Sequence, residues 1–145
     1  MQLHIIARGK IGRSPEADLV DRYLGRIQWK TKVTELPDEG GSMPVADTGA
    51  AVPRTVVLDE RGKTMSSVKF ANLLGRWRDE GVRETRFLIG AADGHAKDVI
   101  DSADLLFSFG PATWPHMMCR AMLAEQLFRA VAILSGHPYH REGAR

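Results

Sequence analysis

Thr85-Arg86-Phe87-Leu88-Ile89-Gly90-Ala91-Ala92-Asp93-Gly94 is the stretch whose reading decides the fold. A short run of β-formers stops at a turn bracketed by glycines, and helical spacing follows around Ala96–Ser102. That pattern predicts a strand over Thr85–Ile89, a turn at Gly90–Gly94 and a short helix. Similar units precede it. Gln2–Ala7 predicts a first strand, and Ser14-Pro15-Glu16 supplies an N-cap, a first-turn proline and an early acid for the next helix. Leu19, Val20, Tyr23, Leu24 and Ile27 continue that helix, and Lys32–Leu36 reads as a second strand. Arg54–Leu58 is a third strand, predicted to run into a turn at Asp59–Lys63. Thr64 is expected to cap a helix carrying Met65, Val68, Phe70, Leu73, Leu74 and Trp77, with Gly81 ending it. Downstream, Asp104–Ser108 is a fifth strand, Phe109–Pro115 a loop, and about His116 to Leu134 a long helix apolar on most faces.

Strands alternating with helices imply an α/β fold, with a mostly parallel sheet of five to six strands flanked by helices. Ligands of such sheets bind beyond the carboxyl ends of the strands. Leu58-Asp59, Gly90–Gly94 and Phe109–Trp114 each follow a strand, so they are expected around one crevice. Residues 1–145 read as a single domain, with a surface loop at 38–53 and a tail at 136–145.

Composition narrows the function classes. The chain has 145 residues, of which 43% are hydrophobic and 26% charged, which excludes a disordered protein. The single cysteine, Cys119, excludes an intrachain disulfide. No apolar run approaches a membrane span and no basic leader is evident, so a cytoplasmic protein without membrane contacts is expected. Net charge is +2, too small to announce a nucleic-acid binder. Residues 1–37 carry +3, 38–104 carry −3 and 105–145 carry +2, and Arg outnumbers Lys fourteen to six. Guanidinium suits bidentate phosphate contacts, but Arg-rich coding gives the same count.

Several constellations compete with plain structure. Gly90–Gly94 lacks both the dinucleotide fingerprint and the Lys-Ser/Thr of a phosphate loop. His116-x-x-Cys119 and His137-x-x-His140 mimic zinc pairs, yet one sits on an apolar helix and the other contains a proline, so no metal is expected. Gly-x-Ser-x-Gly is absent, and Ser108 has no histidine near it in sequence except His116, which argues against a hydrolase. Glu125 and Arg129 lie four apart in an apolar helix, either as a simple pair or as part of a site. The tail gathers His137, Tyr139, His140 and Arg141, residues able to stack on a base, hold phosphate or move a proton.

Leu88-Ile89-Gly90-x-x-x-Gly94, Thr113-x-Pro115-His116, Glu125-Gln126-x-x-Arg129-Ala130 and His137-Pro138-Tyr139-His140-Arg141, in that order, resemble the RlmH family. These are pseudouridine N3-methyltransferases of large-subunit ribosomal RNA within the SPOUT superfamily, and the resemblance spans nearly the whole chain. It implies a C-terminal trefoil knot, a device otherwise essentially absent from proteins. It also implies S-adenosylmethionine as cofactor, held by Leu58, Gly90 and the run Phe109, Gly110, Pro111, Ala112, Thr113 and Trp114. A homodimer, with the last helix in its interface and the partner's tail completing each site, would act on the assembled ribosome. His116, Arg129, Tyr139 and His140 are then the catalytic candidates, and His137 and Arg141 the RNA contacts. The runner-up is a catalytically silent RNA- or ribosome-binding protein on the same scaffold. Three departures stand out: Ala91 replaces a usual glycine, where a left-handed backbone would cost energy; Trp114 replaces Leu or Phe; and residues 38–53 are shorter than the family segment.

Overall fold

The computed structural model describes residues 1–39, 43 and 51–141. In chain order they form β1 (Gln2–Arg8), α1 (Pro15–Arg26), β2 (Thr31–Leu36), β3 (Arg54–Lys63), α2 (Ser67–Asp79), β4 (Glu84–Ile89), α3 (Lys97–Asp101), β5 (Leu105–Phe107) and α4 (His116–Leu134). The sheet order is β2-β1-β4-β3-β5, and every neighbouring pair is parallel. All strand carboxyl ends therefore point the same way, which brings the loops after β3, β4 and β5 together.

Alternation along the strands builds the core. Leu3, Ile5, Val56, Phe87 and Phe107 join Phe70 and Leu74 of α2 and Leu123 and Leu127 of α4 in the main cluster. The next residues along, Ile6, Val57 and Leu88, point the other way and pack with Val99 of α3 and with Met43. Helix α1 starts where the sequence predicts, with Ser14 Oγ accepting the Ala17 N–H at 3.1 Å and Pro15 in the first turn. Helix α4 is apolar nearly all round because it packs against both α1 and α2.

Three expectations need correcting. The predicted turn at Asp59–Lys63 belongs to β3, which runs ten residues. Leu58 and Lys63 both take Phe107 as their Cα partner, and Ser108 N–H donates to the Lys63 carbonyl at 3.0 Å, so residues 59–62 arc around the end of β5. Gly62 makes this possible: a Cβ there would sit 2.7 Å from the Leu106 and Phe107 backbone. Second, Ser66 rather than Thr64 caps α2, its Oγ accepting the Lys69 N–H at 3.1 Å. Third, β5 is only Leu105–Phe107. The cost a left-handed backbone would carry at Ala91 does not arise, since no non-glycine residue among those described has a positive φ. The loop expected at 38–53 lies mostly outside the described residues, though Met43 within it is buried.

Candidate functional site

Beyond the strand ends lies a cleft of about 850 Å³. Its walls come from Leu58–Arg61 in the second half of β3, the Gly90–Gly94 turn after β4, the loop after β5 and the first turn of α4. Of the cofactor contacts expected from the sequence, Leu58, Gly90, Phe109, Gly110, Ala112, Thr113 and Trp114 all line it. Pro111 is exposed and does not. His116 lines the cleft as the first residue of α4.

Local hydrogen bonds shape these loops. Gly94 N–H closes the β4 turn on the Ala91 carbonyl at 2.9 Å. A Cβ on Gly90 would lie 3.1 Å from the Gly94 carbonyl carbon and oxygen and 3.2 Å from His95 Cε1, so the turn folds tightly over this residue. Ser108 is buried; its Oγ accepts the Gly110 N–H at 3.0 Å and lies 3.0 Å from the Gly110 carbonyl. That fastening holds Gly110 at φ +106°, a conformation open to glycine. Ser108 is thus a loop fastener, not a nucleophile. Burial pushes the Cys119 thiol above its ordinary range, the opposite of an activated nucleophile.

Charged groups sit at one side of the cleft. Arg61 grips Asp59 with two parallel bonds, Nε to Oδ1 at 2.9 Å and Nη2 to Oδ2 at 3.0 Å. This grip holds the Asp59 carboxyl below the usual range against partial desolvation. His95, which sequence reasoning missed, lines the same cleft, and its Nε2 is buried without a hydrogen-bond partner among the described residues. Burial lowers its pKa, opposed by Asp59 and by the Leu58 and Leu88 main chain. Nothing local in the sequence marks His95, because its neighbours come from β3 and β4.

The other catalytic candidates gather at the far end of α4. Arg129 Nε donates to Glu125 Oε1 at 2.9 Å, and its Nη1 lies 3.0 Å from His140 Nδ1. The Arg129 guanidinium stands 4.8 Å from the Tyr139 ring centre, and the Tyr139 hydroxyl donates to Glu125 Oε1 at 3.2 Å. Burial, followed by Tyr23 and Glu125, pushes the Tyr139 phenol up to about 12. His137 Nδ1 accepts the Tyr139 N–H at 3.2 Å, and Arg141 is exposed at the end of the described chain. His116 and Arg129 are thirteen residues apart on one helix, about 20 Å at 1.5 Å per residue. One chain therefore brings His116 to the cleft and leaves Arg129, Tyr139 and His140 at a second place.

Among the described residues no three His, Cys, Asp or Glu side chains cluster so as to hold a metal ion, and no helix is long and apolar enough to cross a membrane.

A parallel sheet with loops converging on one cleft at its carboxyl edge describes an α/β ligand-binding enzyme scaffold. Residues 1–140 match the family model described as "Predicted SPOUT methyltransferase", and the chain belongs to that family of methyltransferases. A solved structure of a probable methylase family protein from Haemophilus influenzae Rd KW20 shares the fold, with a TM-score of 0.58 at 9% identity over 99% of this chain and 71% of that one. Within the family, the chain groups with proteins named ribosomal RNA large subunit methyltransferase H. The one from Novosphingobium aromaticivorans is 68% identical over 99% of this chain and all of its own length. That from Zymomonas mobilis is 59% identical, again over 99% of this chain and all of the relative.

Proposed function

We propose that this methyltransferase moves the methyl group of S-adenosylmethionine to N3 of a pseudouridine in large-subunit ribosomal RNA, acting in the cytoplasm as a homodimer on the assembled ribosome. The observation that carries this reading is the convergence of Leu58, Gly90 and Phe109–Trp114 on one cleft. Its volume is that of a pocket for a nucleoside-sized ligand, and its walls offer main chain at two glycine turns beside the Phe109 and Trp114 rings. Those residues fit an adenosine moiety. When bound, S-adenosylmethionine supplies an electrophilic methyl on a sulfonium.

The chain's own groups must then remove the imide proton at N3 and steady the charge that develops. Tyr139, its phenol held protonated, is a hydrogen-bond donor at neutral pH and not a base. With Arg129 Nη1 donating to His140 Nδ1, the neutral His140 ring carries its proton on Nε2 and has no free lone pair. Both therefore position Arg129 and the substrate. His116, in the wall of the cleft, takes the proton. Arg129 steadies the developing anion, and His137 and Arg141 hold the RNA.

The separation of about 20 Å between His116 and Arg129 favours a composite site, with the partner's tail reaching this protomer's cleft. A half-exposed stripe on α4, Met118, Met122, Arg129 and Ile133, with Trp114 44% exposed nearby, supplies the surface for a second copy. The arc of residues 59–62 around β5 supports the knot expected of the family.

The test is transfer of labelled methyl to ribosomes lacking the modification, with naked ribosomal RNA and transfer RNA alongside. Label on the ribosome alone, at N3 of one pseudouridine, is the expected result. Ribosome binding with no label on any RNA overturns the reading in favour of a silent binder.

A further inference from the structure

Where the tail folds back on the ends of α1 and α4 there is a second cavity, of about 300 Å³, outside the cofactor cleft. Phe128, Val131 and Tyr139 form its apolar walls, and Arg26, Gln28 and His137 stand at its rim. We propose that this cavity holds an unstacked base of the RNA substrate, one flanking the base that is methylated, and that Arg26 and Gln28 read its edge.

Four observations carry this, and the inference rests on the RNA-methyltransferase reading above. The cavity's volume is at the lower end of those that hold a small organic molecule. Its wall is a ready-made stacking platform: the Phe128 and Tyr139 rings meet edge to face with centres 4.6 Å apart. Tyr139 cannot swing away cheaply, because Glu125 holds its hydroxyl and Arg129 covers its ring.

The rim has the chemistry of a base reader. Arg26 ends α1 and Gln28 follows its C-cap, Ile27. Both are exposed, and neither side chain makes a hydrogen bond or ion pair with the described residues. His137 Nδ1 accepts the Tyr139 N–H, so the neutral ring carries its remaining proton on Nε2. Two donors and one carboxamide match a base edge bearing carbonyl oxygens, as in uracil and guanine. The cavity also shares Tyr139 and His137 with the tail, so a base bound here lies next to the groups proposed to hold RNA and charge.

The test uses the full-length dimer and unmodified ribosomes. The Arg26→Ala/Gln28→Ala variant should raise KM for the ribosome about tenfold while kcat and S-adenosylmethionine affinity by calorimetry stay as they were. In parallel, 4-thiouridine placed beside the target pseudouridine in reconstituted subunits should crosslink to a peptide containing Phe128 or His137. An unchanged KM together with crosslinks elsewhere overturns the proposal. So does a variant whose dimer dissociates in sedimentation, because a second copy then covers the cavity. A wild-type enzyme that labels no RNA overturns the reading beneath the proposal and the proposal with it.

Discussion

Two arginines nine positions apart on α4 are spent in opposite ways. Arg120 is 1% exposed, donates to Glu35 Oε2 at 2.6 Å and to the Gly9 carbonyl at 3.0 Å, and so bolts the helix to the ends of β1 and β2. Arg129, a quarter exposed, has Glu125, His140, the Tyr139 ring and Tyr23 around it among the described residues. The first arginine's partners belong to the sheet edge. The second's are side chains at the surface that a substrate can share. Same residue type, same helix, different roles: Arg120 serves the fold, and the proposed function gives Arg129 to chemistry.

That contrast breaks first at Arg129. Arg129→Met should cut methyl transfer by about 10²- to 10³-fold, the loss expected of one charge-stabilising donor. Its unfolding midpoint in urea should shift little, since a partly exposed pair contributes about 0–1 kcal/mol. Transfer within a few-fold of wild type would erase the distinction. Arg120→Met should do the reverse and lower unfolding free energy by about 3 kcal/mol, the low end for breaking a buried pair. The low end applies because Glu35, about a third exposed, can take up water. The Ile11 N–H, at 2.8 Å, is in any case the main reason its carboxyl sits below the usual range. Wild-type stability in urea would make Arg120 ornamental.

The contrast also marks how far a sequence can be read. Arg129 is legible because Glu125 is four residues away. Arg120 is not, because Gly9 and Glu35 lie 111 and 85 positions distant. The cleft was legible for a simpler reason: strand ends in a parallel sheet share an edge, so Leu58, Gly90 and Phe109 had to meet. What hid the rest was packing between distant backbones. Asp59-Glu60-Arg61-Gly62-Lys63 has the composition of a turn, and only the β5 main chain lying against Gly62 shows why it continues as strand. His95 escaped notice likewise, because its surroundings are the ends of β3 and β4.

Two milder substitutions sharpen the division between cleft and tail. Gly90→Val should weaken S-adenosylmethionine binding about tenfold by calorimetry, because its side chain must displace the Gly94 carbonyl and His95. The fold and the proposed dimer should survive, and unchanged affinity would detach Gly90 from the proposed cofactor site. Tyr139→Phe keeps the ring under Arg129 and loses the hydroxyl's bond to Glu125 and its contact with Tyr23. Methyl transfer should fall about tenfold with cofactor affinity untouched, the low end for one hydrogen bond to a charged group. A weakened cofactor would mean that the tail serves the cleft directly.

The smallest effect belongs to His95, and it separates a group the fold tolerates from one it needs. Burial lowers the pKa of His95 and of His4, so both bind protons less readily in the folded chain than in the unfolded one. Below the ordinary histidine value of about 6.5 the unfolded state therefore takes up more protons, and stability falls as pH drops through that point. Asp59 and Arg8 face His95 with opposite charge effects; Glu84 raises His4 while Lys32 and Arg86 lower it. His95→Leu should remove part of the loss measured in urea between pH 7 and pH 5, leaving the His4 share. At pH 8 the variant should lose only about 1 kcal/mol, because the ring nitrogen Nε2 has no partner among the described residues and only the main-chain contacts at Leu58 and Leu88 are given up. An undiminished slope would show that His95 titrates freely, and its place beneath the Gly90 turn would then carry no cost.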